Sequence, residues 1–288
     1  MHRFHLFEWE DQPWLPVVFR DFITDHLRYF LARTIREPVN RAIAQLLEPL
    51  LTRTGSRQII DLCAGAGGPL LQVQRIIRDE MGEPVEVLLT DLYPNVAAFK
   101  RHELEGGGAV RAIYEPTSAF DVPPGLRGVR TLFTALHHFK PEGVLRLLAD
   151  AAGKRQPIAV FELLERTPRM LILTGLFALL QAFVRTPIVG RLTPWRFLLT
   201  YVIPLAPAML MWDGVVSVLR TYTPQELRDL TDSIGAADYD WEVGRFEIPG
   251  PLGVMLPTIY LLGCPVTSRD SGRVSSDTGE SGAASNRA

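Results

Sequence analysis

The chain has 288 residues, a formal net charge of -2 and a hydrophobic fraction of 47%, with a mean hydropathy of +0.10. That is enough apolar material for one large domain, or one domain carrying an insertion, and it excludes a disordered protein. Mixed acids and bases leave no broad basic footprint for nucleic acid, and the two cysteines, Cys63 and Cys264, exclude a disulfide framework and show no metal-ligand spacing with histidine.

Residues 1 to about 54 read as helical after an aromatic start broken by Pro13 and Pro16. Phe19, Ile23, Leu27 and Phe30 recur at helical spacing and predict one apolar face. Glu8, Glu10 and Asp11 stand where a signal peptide would be apolar, so the chain is expected to face the cytoplasm, at the inner side of a membrane if it meets one. Next, Ile59-Ile60-Asp61-Leu62 is a buried strand that runs into Cys63-Ala64-Gly65-Ala66-Gly67-Gly68-Pro69 and then a helix. An acid at a strand end followed by closely spaced glycines lets the polar groups of a nucleoside approach bare backbone beside a helix N-terminus. A plain strand-to-helix turn is the alternative. Val85 to Asp91 is a second apolar strand ending in an acid, one β-α-β unit further on, where a ribose-binding carboxylate would sit. A dinucleotide fingerprint wants a glycine at the position of Leu70, which counts against a nicotinamide oxidoreductase.

On these two strands, Asp61-Leu62-Cys63-Ala64-Gly65-Ala66-Gly67 resembles the D-x-G-x-G-x-G loop of the class I S-adenosylmethionine-dependent methyltransferases. Cys63 replaces the first glycine of that pattern and is expected to fit by keeping φ negative. The resemblance implies S-adenosylmethionine as cofactor, with Asp61, Cys63, Gly65 and Gly67 under its methionine part and Asp91, followed by Leu92, at the ribose hydroxyls. A third strand, Ala109 to Tyr114, leads to a loop in which Ser118 and Ala119 fall at the place implied for the adenine amino group, with Asp121 three residues later. Family members commonly use N-terminal helices as a lid, so Trp9, Trp14, Arg20 and Asp21 are candidates for the substrate mouth; helices that merely pack on the sheet are the other reading.

A fourth strand begins at Val129 and ends in His137-His138, ahead of a helix from about Pro141 to Ala152. In the family this end faces the transferred methyl group, which makes His137 and His138 the general-base candidates, since neutral imidazole accepts a proton near pH 7. Capping the helix is their alternative role. A fifth strand, Pro157 to Glu162, again closes on an acid. Thr223-Pro224-Gln225-Glu226 opens a helix with a capping box, and apolar segments near Tyr239 to Phe246 and Met255 to Cys264 follow. The expected fold is α/β: a doubly wound, Rossmann-like, mostly parallel sheet with an antiparallel last strand, N-terminal helices and a hydrophobic helical insertion. The expected divisions are a helical cap over 1-54, a catalytic domain over 55-165 and 212-265, the insertion over 166-211 and a disordered tail over 266-288.

Within the insertion, Met170 to Val184 and Phe197 to Met211 are overwhelmingly apolar, flanked by Arg169, Arg185, Arg191, Arg196 and Asp213. Neither spans a bilayer comfortably, since that takes ~20 residues and the second run holds Pro204 and Pro207. Buried helices, a homodimer surface, a cover over the active site and a hairpin dipping into one leaflet stay open as readings. Beyond it, Asp213, Arg220 and Tyr222 are candidates to bind or deprotonate the acceptor, against a surface turn with a satisfied ion pair. The function expected is methyl transfer to a small-molecule or lipid-like acceptor, with His137, His138 and Asp213 as catalytic candidates, no metal and no nucleic acid. A membrane-associated protein that binds the cofactor without turnover is the alternative.

Overall fold

The computed structural model describes residues 1–34, 37–82, 84–249 and 255–266. Apart from Val266, the tail expected over 266–288 lies outside the described residues. Seven strands, β1 (Gln58–Asp61), β2 (Glu86–Leu89), β3 (Val110–Ala112), β4 (Val129–Phe133), β5 (Ile158–Glu162), β6 (Tyr239–Pro249) and β7 (Met255–Pro265), form one sheet in the order β3-β2-β1-β4-β5-β7-β6. The first five pair in parallel, whereas β7 runs antiparallel to both β5 and β6. This is the doubly wound Rossmann-like sheet with the antiparallel last strand that the sequence predicts. Its strands are short and nearly continuous in apolar residues because both faces are covered, as parallel sheets require.

Helices α1 (Val17–Thr34), α2 (Glu37–Thr54), α3 (Leu70–Met81), α4 (Val96–Gly106) and α5 (Pro141–Gly153) accompany the first five strands. One core cluster joins Ile43, Leu47 and Leu51 of α2 to Ile59, Val87 and Phe161 of the sheet, and a second lies around Ile60, Leu132, Leu148 and Val160. On α1 the most deeply buried residues are Phe22, Ile23 and His26; of the expected stripe Ile23 is buried, Phe19 packs partly against the same cluster and Leu27 is exposed. This helix packs on the insertion, where a third cluster joins Phe22 and Ile23 to Ala178, Ala182 and Met209.

After β5 come α6 (Pro168–Arg185), a single turn α7 (Pro194–Phe197), a π-type turn at Leu198–Val202 and α8 (Leu205–Arg220). Thr167 caps α6 from outside the apolar run by accepting the amide of Met170, which lengthens the helix to 18 residues. By length and composition α6 could cross a membrane, and the α7 to α8 pair is bent by 72°. No break falls at the expected boundary near Met211, since α8 continues to Arg220. Gly175 and Gly214 let α6 and α8 approach closely: a Cβ on Gly175 would lie 3.2 Å from Val215, and one on Gly214 would lie 3.1 Å from Thr174. α9 (Pro224–Ile234) then begins with Thr223 and Glu226 in the predicted capping box, with each side chain bonding the other's backbone amide.

Candidate active site

The order of strands reverses between β1 and β4, and in such sheets ligands bind outside the carboxyl ends at that point. Backbone conformation marks the same place. Cys63, just beyond β1, has φ +56°, and Thr134, just beyond β4, has φ +49°. Left-handed geometry is costly for side chains with a Cβ, above all a β-branched one, and tends to collect at functional sites. The expectation of a negative φ at Cys63 is therefore corrected. Tertiary hydrogen bonds impose the conformation, as the Ala64 amide donates to the Thr90 carbonyl at 3.0 Å and the Leu62 amide to the Thr131 carbonyl at 2.8 Å. Burial pushes the Cys63 thiol up to about 12, with Asp91 and Asp61 adding to it, so it is an inert neutral group.

Asp61 is buried at the end of β1, and its Oδ1 accepts the Thr131 hydroxyl from the facing β4 position at 2.8 Å. Burial raises its carboxyl to about 7 against that hydrogen bond, and the neighbouring charge of Asp91 adds to the rise. Asp91 accepts the Gly65 amide at 2.8 Å through one oxygen and the Tyr93 amide at 2.8 Å through the other. The acid closing β2 thus holds the glycine loop directly. Gly65 (φ +54°) and Gly67 (φ +85°) carry the turn into α3, and the His102 ring lies where a Gly67 side chain would go. Leu92 is exposed. Ser118 is half-buried, its hydroxyl accepting the Phe120 amide at 3.2 Å beside buried Ala119, and the Thr117 amide reaches the Asp91 carbonyl at 2.8 Å. Asp121 instead faces solvent in an ion pair with Lys154.

On the β4 side, Leu136–His138 forms a 3₁₀ turn held by buried Glu162 at the end of β5. Its Oε1 accepts the Leu136 amide at 2.8 Å and the His137 amide at 3.3 Å, while its Oε2 lies 2.8 Å from His137 Nδ1. With the hydrogen on Nδ1, Nε2 of His137 is left as a proton acceptor, the orientation a carboxylate-held imidazole base requires. His138 lies against His137, ring centroids 4.3 Å apart, with its Nδ1 3.1 Å from Asp11 and 3.5 Å from Glu8.

Those two acids belong to an N-terminal strap that has no periodic sequence signal. Arg220 binds it through Glu8 at 3.3 Å, Asp11 at 2.7 Å and the Leu6 carbonyl at 2.7 Å. Asp213 accepts the Trp9 and Glu10 amides at 2.7 and 3.1 Å, and the Tyr222 ring lies 4.0 Å beneath the Arg3 guanidinium. The structure thus brings Asp213, Arg220 and Tyr222 together as the strap's docking surface, and Asp213 reaches no group at the ends of β1 and β2. Arg20 donates to the Glu10 and Gln12 carbonyls, and Trp9 stacks edge-on with both Phe7 and Trp14. The Asp21 carbonyl meets Arg196. Glu8, His137 and His138 offer ligand-type atoms within 4.8 Å of one another, and the Arg220 guanidinium supplies positive charge there.

Burial of this acid cluster makes strap docking pH-sensitive. It lifts Glu8 to about 7 against His138 and Arg220, lifts Asp213 to about 7 against the two amides, and raises Glu10. A carboxyl whose folded-state pKa is raised stabilises the fold below its unfolded value and loses that contribution as pH climbs through the folded one. Burial would raise Asp11 too, but His138 and Arg220 outweigh it and hold it at about 2, so its contribution is intact above pH 5. His5, lowered by burial to about 4, has completed its contribution by pH 6.5. The melting temperature is therefore expected to fall between pH 6.5 and 8, and the double variant Glu8→Gln with Asp213→Asn to reduce that slope, leaving the part that Asp61 carries.

No protein-family model matches the sequence, and no curated protein matches it. Among solved structures, the chain is similar to the plantazolicin methyltransferase BpumL in complex with SAH, at 12% identity over 90% of this chain and 93% of that one, TM-score 0.48. It is also similar to the O-methyltransferase NcsB1 of neocarzinostatin biosynthesis, in complex with S-adenosylmethionine and 2-hydroxy-5-methyl naphthoic acid, at 16% identity over 78% of this chain and 57% of that one, TM-score 0.41. A third is the pyocyanin biosynthetic protein PhzM, at 14% identity over 73% of this chain and 51% of that one, TM-score 0.40. The chain thus spans little more than half the length of these last two.

Proposed function

We propose that the chain is an S-adenosylmethionine-dependent methyltransferase acting on a small or lipophilic acceptor. The observation that carries this reading is the charge of the crevice at the ends of β1 and β2. Asp61 and Asp91 stand there on either side of bare glycine backbone, and neither carboxylate is paired with an arginine or lysine among the described residues. A dinucleotide would bring a diphosphate into that negative field. A sulfonium cofactor with an α-ammonium group brings positive charge, which favours ionised Asp61 and relieves its repulsion with Asp91. Gly65 leaves the loop bare beside Asp91, whereas the space at Gly67 is taken by the His102 ring.

When bound, S-adenosylmethionine supplies an electrophilic methyl whose transfer leaves a neutral thioether. The chain's own contribution is positioning, exclusion of water and custody of the acceptor's proton. Nε2 of His137 would accept that proton, and Glu162, hydrogen-bonded to Nδ1, would stabilise the resulting imidazolium. The docked strap meets the adjoining His138 through Glu8 and Asp11.

Calorimetric titration tests the reading. S-adenosylmethionine and S-adenosylhomocysteine are expected to bind and NAD is not. At pH 6.5, S-adenosylmethionine binding should release about half a proton or more, seen as a dependence of the heat on buffer ionisation, as the pKa of Asp61 drops from about 7. Asp61→Asn should abolish the release. Binding of NAD alone would overturn the proposal, and tight binding of the nucleoside without turnover on any acceptor would favour the non-catalytic alternative.

A further inference from the structure

One face of α6 is covered and the other is bare. Gly175, Ala178 and Ala182 pack against the protein, while Ile172, Leu176, Leu180 and Val184, spaced four apart, are each more than half exposed. Because α8 covers the opposite side, α6 cannot be ringed by lipid as a spanning helix is. The bare surface continues beyond the helix. Tyr201 donates its hydroxyl to the Phe183 carbonyl near the end of α6 at 2.7 Å, which ties the π-type turn to that helix. Val202 and Ile203, at the 72° bend, are 62% and 55% exposed, and Trp195 is 64% exposed. A soluble monomer rarely leaves so much contiguous apolar surface without a partner.

Charge identifies the partner. Between Glu165 and Asp213 the sequence holds five arginines and no acid. Arg166 and Arg196 are buried and matched by Glu226 and Asp25. Arg169 and Arg191, at the two ends of the bare face, are exposed and have no acidic partner among the described residues. A second copy docking through the same patch would bring basic rim against basic rim with no acid in the segment to answer it, which a self-complementary interface does not tolerate. Anionic headgroups answer it fully.

We propose that the exposed face of α6 and the bend at Val202 and Ile203 form a docking surface for an anionic lipid bilayer, inserted to the level of the acyl boundary, with Trp195 and the arginines among the headgroups. The surface places a lipophilic acceptor within the same leaflet. That link to the acceptor rests on the methyltransferase reading, whereas the docking itself does not.

The test is flotation of the full chain with vesicles of phosphatidylcholine alone or containing a third phosphatidylglycerol. The protein is expected to float with the anionic vesicles and to be displaced from them by high salt. Leu176→Asp with Leu180→Asp should abolish flotation, and Arg169→Gln with Arg191→Gln should weaken it about 10- to 30-fold. Trp195 fluorescence should be quenched by brominated lipid, and Trp195→Phe should remove that signal. S-adenosylhomocysteine affinity, measured on each variant, should match the parent and shows that the fold is intact. Two results would overturn the inference: no binding to either vesicle by a protein that still takes up the nucleoside, or a dimer in solution that the paired aspartates dissociate. Vesicle binding by a protein that fails to bind any nucleoside would leave the docking surface standing and remove the methyltransferase reading instead.

Discussion

Replacing His137 by glutamine is expected to lower kcat by about 10²- to 10³-fold while leaving S-adenosylhomocysteine affinity within a factor of about two. The imidazole is buried, its Nδ1 lies 2.8 Å from Glu162, and that carboxylate also accepts two amides of the turn that carries the ring. Orientation and charge stabilisation thus come from one group. Glutamine keeps a polar side chain in the space but has no basic ring nitrogen to take the acceptor's proton, so the chemical step slows. Glu162→Gln should lower kcat less, since the ring keeps its accepting nitrogen and loses only the carboxylate that orients it. A purely structural role for His137 predicts instead that both variants lose nucleoside binding and stability together. Measuring kcat, nucleoside affinity and the melting temperature on the same samples separates the two outcomes.

The sheet was largely legible because its determinants are local. Apolar runs ending in Asp61, Asp91 and Glu162 mark strand ends, and the capping box at Thr223 and Glu226 requires only residues three apart. The closing hairpin follows from two apolar segments near Tyr239 to Phe246 and Met255 to Cys264. What escaped depends on partners far away in the chain. Thr131 lies opposite Asp61 across the β1 to β4 register, and a polar residue inside the apolar run of β4 was the available signal for it. The strap offered none: Glu8 and Asp11 have no periodicity, and they meet Arg220 more than 200 residues later. The φ of Cys63 was misjudged for the same reason, because residue type limits backbone conformation while the Thr90 and Thr131 hydrogen bonds choose it. In the insertion, composition showed an excess of apolar residues but not the face they occupy, which the packing of α6 on α8 decides.

Gly67→Ala should destabilise the protein by about 2–3 kcal/mol and weaken nucleoside binding at least 10-fold, for two separable reasons. The residue has φ +85°, a conformation that costs a side chain about 1–2 kcal/mol. In addition, the new Cβ would stand 1.9 Å from His102 Nε2, so the ring must swing away and give up its 3.0 Å contact with the Ala66 carbonyl, which contributes about 1 kcal/mol. Only the second term depends on His102. In a His102→Ala background the same glycine replacement should therefore cost about 1–2 kcal/mol, leaving a coupling of about 1 kcal/mol in the double-mutant cycle. Urea denaturation of the four proteins measures it. If the cycle shows no coupling, His102 does not hold the loop from outside, and the glycine is there for backbone conformation alone. If coupling appears in stability and also in S-adenosylhomocysteine affinity, α4 takes part in shaping the cofactor loop, joining Asp91 at the end of β2, which holds the same loop through the Gly65 amide.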